Sequence, residues 1–203
     1  MKKEKDYIQD IAEIRSMMER SSKFLSLAGW AGIMAGIYAL AGAYVAYSVF
    51  DFNPQELSSG ISAQGLKQMI LLGLAILGLA IGSAVFLSSN KAKKKGEKVW
   101  NPTAKRLLLN MAVPLVAGGI LLLVLIGHGL TGLLAPVSLI FYGLALFSAG
   151  RYTFREIKTL GLIQILLGLA ASWFIGYGLL LWALGFGVFH IIYGILMHFN
   201  YER

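Results

Sequence analysis

Three polar side chains interrupt long apolar runs at places where they can do chemistry: His190 in FGVFHIIYGI, Gln164 in LGLIQILLGL and Asn110 in RLLLNMAVPL. A histidine in such a setting can relay a proton, ligate a metal or bind a substrate. Its plain alternative is a neutral imidazole bonded to a neighbouring helix. Asn110 stands four residues before Pro114. Proline lacks an N–H, so the Asn110 carbonyl loses its helical partner and a kink is expected there. Asn110, Pro114, Gln164 and His190 are therefore the candidate lining of a small polar cavity, with simple interhelical hydrogen bonding as the rival reading.

Other chemistry is hard to assemble from these residues. His198 lies eight residues beyond His190, roughly 80° round a helix, and His128 falls in a separate turn, so the three histidines suggest neither a metal nor a haem site. The chain has no cysteine, which excludes disulfides, thiolate metal sites and cysteine nucleophiles. Gly127-His128-Gly129-Leu130-Thr131-Gly132 matches a dinucleotide-binding pattern in letters, but it follows an apolar run rather than a strand. The expectation is no catalytic residue, no metal and no cofactor, hence a protein that is not an enzyme.

The elements that must position these residues are helices in lipid. Of the 203 residues, 57% are hydrophobic and 14% charged, where a soluble domain carries about 25% charged. Six apolar stretches are long enough to span a bilayer, near 24–50, 68–90, 107–126, 133–150, 159–175 and 179–199. Continuous apolar runs without alternation argue for helices rather than a barrel. The fold class read from this pattern is an all-α membrane protein, with a six-helix transmembrane domain over 24–200 and a cytoplasmic amphipathic helix over 1–23.

Orientation follows from charge. Of the 18 Lys and Arg, only Lys67 falls on the side of the first external link; the others sit in the N-terminal segment, the second and fourth links and the tail. Cations favour the cytoplasmic side, so both termini are expected there. The net charge of +8 is read as this topology signal and not as a nucleic-acid surface. A cleaved signal peptide fits poorly, because 23 residues, five of them acidic, precede a first apolar run longer than a signal core.

Short external turns at Gly127-His128-Gly129 and Gly176-Tyr177-Gly178 predict antiparallel neighbours, and so three hairpins. Spans four and six both carry Tyr-Gly, at Tyr142-Gly143 and Tyr193-Gly194. The Gly-rich stretch GILLLVLIGHGLTGLLAPVSLIFYGLALF resembles the HdeD-type six-helix bacterial membrane proteins over about the last half of the chain. The segment IRSMMERSSKFLSLAGW resembles uncharacterised membrane proteins of Bacteroidetes-type bacteria. The first resemblance implies a stress-linked, non-enzymatic inner-membrane role; its family pattern lacks the N-terminal helix and the long first external loop found here.

Two further features bear on partners. Small residues spaced four apart, Gly32 with Gly36 and Gly78 with Gly82, predict faces where helix backbones approach, within the chain or in a homo-oligomer. Tyr7, Ile8, Ile11, Ile14, Met17 and Met18 form one apolar stripe of the N-terminal helix, suited to membrane lipid or a cytoplasmic protein partner. The reading is thus a non-enzymatic accessory or stress-response protein with a docking helix. The alternative is a carrier or channel for a small neutral or amphipathic solute.

Overall fold

The computed structural model describes residues 29–50, 52, 63–94 and 100–201. The N-terminal stripe from Tyr7 to Met18 lies outside the described residues. The elements are α1 (Gly29–Ser48), α2 (Ala63–Lys94), α3 (Pro102–Gly127), α4 (Leu134–Ala149), α5 (Arg155–Trp173), α6 (Gly178–Trp182), a π-helical segment (Ala183–Phe189) and α7 (His190–Tyr201). No strand occurs among the described residues. Six helical units are long and apolar enough to cross a membrane: Gly29–Ser48, Gln64–Lys94, Pro102–Gly127, Thr131–Ala149, Arg155–Trp173 and Ile175–Tyr201. The last of these joins α6, the π segment and α7 into one sixth span.

Local chemistry sets the helix ends. Asn101 is extended and its side-chain oxygen accepts from the Ala104 N–H at 2.8 Å, while Pro102 occupies the first turn, where its missing N–H costs nothing. At the far end of α3 the His128 and Leu130 N–H groups donate back to Val124 and Leu125. Gly129 then reverses the chain with φ 72°, a conformation that a side chain resists. A single 3-10 turn over Thr131–Leu133 starts α4. The Ile175–Tyr177 turn does the same for α6, with the Phe174 N–H donating to Ala170. Pro114 sits inside α3, which stays helical from Pro102 to Gly127.

Glycine decides which helices touch. Helices α4 and α5 pack most extensively. A Cβ on Gly143 would lie 2.7 Å from the Gly161 carbonyl oxygen, and one on Gly161 would lie 2.7 Å from that of Gly143. One heptad further along α5, Gly168 meets the Pro136 carbonyl at 2.9 Å, and a heptad along α4 Gly150 meets Lys158. The pairs run in opposite chain directions, so the two helices are antiparallel and share a seven-residue repeat of small contacts.

A second close pair joins α1 to the sixth span. Cβ atoms on Gly29 and Gly36 would lie 2.6 Å from the carbonyl oxygens of Gly194 and Gly187, and Gly32 faces His190 and Gly194 at 3.2 Å. Ala39, Ala43 and Ala46 extend the same buried stripe. Helix α2 differs. It packs on α1, with Ile76 against Gly42, yet none of its most apolar stretch is buried, against 33% for α1. A Cβ on Gly73, Gly78 or Gly82 would meet nothing within 4 Å. The spacing of Gly78 and Gly82 suggested a packing face; among the described residues no helix comes to it, because α2 turns its leucine- and glycine-bearing sides outward.

A buried apolar cluster joins Ala104 and Leu107 of α3, Leu146 and Ala149 of α4, and Ile157 and Leu160 of α5. Tyr142, Phe189 and Tyr193 pack against it. Tyr142 of α4 thus stands at the edge of this core.

Candidate functional site

Where the sixth span widens into its π segment, three side chains from three helices converge. Gln164 of α5 is fully buried and His190 is 5% exposed. The Gln164 amide nitrogen donates to the Gly185 carbonyl at 2.8 Å. His190 Nδ1 lies 3.0 Å from the same oxygen. Tyr142 Oη of α4 lies 3.0 Å from His190 Nε2.

Hydrogen-bond bookkeeping assigns the protons. A carbonyl oxygen only accepts, so both nitrogens at Gly185 donate. His190 therefore carries a proton on Nδ1, and in the neutral imidazole Nε2 then accepts from the Tyr142 hydroxyl. The 3.3 Å approach of Gln164 Nε2 to His190 Nδ1 is then a meeting of two donors around one acceptor and not a bond. Turning the Gln164 amide over would bring its oxygen against the Gly185 oxygen, two acceptors at bonding distance, so the amide orientation is fixed as well. A neutral imidazole satisfies all of these contacts, and it avoids placing a bare charge inside the span.

One group stays unmatched. Gln164 Oε1 is buried with no hydrogen-bond partner. It presses on the open side of Gly185, where a Cβ would lie 2.5 Å from it and 2.6 Å from Leu139 Cδ2. Glycine at 185 is what lets the amide reach the π segment at all. Aromatic rings flank the cluster on its other side. Phe186 stacks on His190 with centroids 5.8 Å apart and planes 11° from parallel. Tyr142 and Trp182 pack on Phe186 at 4.9 Å and 5.0 Å.

The sequence suggested Asn110, Pro114, Gln164 and His190 as one lining. The structure brings Gln164 and His190 together and leaves the other two apart. Asn110 is exposed, and its amide donates to the Arg106 carbonyl of its own helix at 2.8 Å. An asparagine that can bond one turn back needs no neighbour. Pro114 is on α3, which contributes no side chain to the cluster. Sequence reasoning missed Tyr142 and Gly185. The Tyr-Gly pair at 142–143 was visible, but as a repeat, and its phenol was not counted as a polar group.

Among the described residues, no three His, Asp or Glu side chains come close enough to hold a metal ion. What the cluster can do is hold three helices in a fixed rotation and offer an acceptor at Gln164 Oε1. No protein-family model, curated protein or solved structure matches this chain. The fold and the site define a multi-pass, all-helical membrane protein with a small neutral polar cluster inside it.

Proposed function

We propose that this chain is a non-enzymatic integral membrane protein of accessory or stress-response type, which presents its N-terminal segment to a cytoplasmic partner protein or to lipid. The setting is the bacterial inner membrane, with six spans in three hairpins and both termini cytoplasmic, as the distribution of Lys and Arg argues. The observation that carries this reading is the neutral polar cluster. Tyr142, His190 and Gln164 bond to one another or to the Gly185 backbone, and none is a group that is ionised by default. An ion- or proton-coupled pathway ordinarily keeps an acid or strong base in the spans. Tight glycine-lined crossings suit a rigid scaffold in the same way. Photo-crosslinking from positions 7, 11, 14 and 18 in native cells tests the reading. It is expected to capture a protein or lipid neighbour; capture of this chain's own helices alone overturns it.

One observation favours a second reading, a carrier for a small neutral or amphipathic solute. Gln164 Oε1 is a buried acceptor without a donor, the kind of group a solute hydroxyl or amide would satisfy. A small molecule that co-purifies with the protein and is lost from Gln164→Leu would support it. Equal small-molecule content in the two preparations sets it aside.

A further inference from the structure

We infer that the sixth span is a two-register helix: Gln164 holds it in the π register, and release of that clamp turns α7 against α1. The inference is independent of what the N-terminal segment binds.

A π segment contains one residue more than the α-helix occupying the same length, and such insertions occur mostly as single turns at functional places. Residues after it are therefore one position out of α register with those before it. If Ala183–Phe189 closed into α geometry, α7 would rotate by about 100° and slide by about 1.5 Å. Each residue of α7 would then occupy the place its successor holds now. Met197 would stand where His198 stands, and Tyr193 where Gly194 stands.

The contacts at the two ends of this lever differ in kind. Upstream, the segment is tied to α5 through one side chain, with Gln164 Nε2 donating to the Gly185 carbonyl at 2.8 Å. The tie is incomplete, since Gln164 Oε1 is buried and unpartnered. The clamped register thus carries the desolvation penalty of one buried, unpaired acceptor. Downstream, α7 meets α1 through glycine on both sides: a Cβ on Gly29 would lie 2.6 Å from the Gly194 carbonyl oxygen, and one on Gly194 would lie 2.6 Å from that of Gly29. Replacing Gly194 by Tyr193 at that crossing is sterically incompatible with the present approach. A register change must therefore move α1 at its Gly29 end. The fold links a neutral polar cluster within the bundle to the Gly29 end of α1.

The absence of cysteine gives a clean background for measuring the register. Trp30 and His198 have ring centroids 5.8 Å apart. The paired substitutions Trp30→Cys/His198→Cys and Trp30→Cys/Met197→Cys report the two registers through a short bifunctional thiol reagent applied to membranes. With Gln164 present, the 30/198 pair is expected to cross-link and the 30/197 pair to lag at least five-fold. Gln164→Leu is expected to exchange the two yields, and Gln164→Met, which keeps the length of the side chain, to do the same. Deleting Ala183 in the Gln164→Leu chain removes the extra residue and is expected to restore the 30/198 product to within two-fold. Unchanged yields in both Gln164 variants overturn the inference. So does a fall of both products, or a loss of the 30/198 product that the deletion fails to restore, because each marks general loosening instead of a register change.

Discussion

Helices α1 and α2 carry the same sequence signal and end in opposite environments. Each has small residues four apart, Gly32 with Gly36 and Gly78 with Gly82. In α1 both glycines lie against the sixth span, at distances where a side chain would strike backbone. In α2 both face open space within the molecule, with Leu74, Leu77 and Leu79 more than half exposed around them. The difference teaches that small-residue spacing permits a close crossing without selecting one. Selection comes from the partner. Gly187 and Gly194 of the sixth span answer Gly29, Gly32 and Gly36 with glycine of their own, and among the described residues no helix presents such a face to Gly78 and Gly82.

The same contrast is tested most strongly at the most extensive crossing, that of α4 with α5. Gly161→Leu is expected to destabilise the bundle by about 3 kcal/mol or more, since overpacking costs ~1–3 kcal/mol even where neighbours can shift. Here a Cβ alone meets the Gly143 carbonyl and the Phe147 N–H nitrogen at 2.7 Å, and backbone gives way less than a flexible side chain. Gly82→Leu, the same change on α2, is expected to stay within about 0.5 kcal/mol, as substitutions away from contacts do. Reversible unfolding in mixed micelles measures both. Equal losses would mean that the close approach of α4 and α5 is not what sustains the bundle.

The next contrast lies between two polar residues that look alike in sequence. Gln164→Leu is expected to lower stability by about 1 kcal/mol, within the ~0.6–1.7 kcal/mol measured for hydrogen bonds between membrane helices. Asn110→Leu is expected to change it by less than ~0.5 kcal/mol, because its amide bonds only the Arg106 carbonyl one turn away. Tyr142→Phe follows at about 0.6 kcal/mol. It removes the hydroxyl bonded to His190 and leaves the ring on Phe186 in place. A loss for Asn110→Leu as large as that for Gln164→Leu would make the intrahelical assignment wrong.

Much of the fold was legible because lipid writes simple rules. Continuous apolar length gives the six spanning helices, and Gly129 announces its turn because only a residue free of a Cβ takes φ 72° easily. Gln164 and His190 stood out as polar groups that must find partners. Helix rotation was not legible. Whether Asn110 faces a neighbour or the outside depends on an angle that a uniformly apolar helix does not encode. The Tyr142–His190 bond joins residues 48 apart in sequence, and no local pattern marks them as a pair. The π segment was equally hidden. Its residues, ALGFGVF, read as ordinary α-helix until the Gly185 carbonyl is found facing Gln164.

The smallest expected effect is also the sharpest probe of α2. Alanine in place of Gly82 or Gly78 adds one methyl where nothing lies within 4 Å. It also removes the conformational freedom that makes glycine about 1 kcal/mol poorer than alanine in a helix interior. If lipid alone covers this face, Gly82→Ala is therefore neutral or slightly stabilising, and its melting temperature in detergent matches that of the parent or rises. Gly36→Ala, with the Gly187 carbonyl 2.6 Å from the new methyl, must move in the opposite direction. The informative result is a split by environment: Gly82→Ala neutral in dilute detergent but destabilising in native membranes. Lipid tails adapt to a methyl group, whereas a helix packed by backbone contact does not. That split would identify a protein surface seated on α2 in the membrane, and it would convert the contrast between α1 and α2 from covered against bare into covered from within against covered from outside.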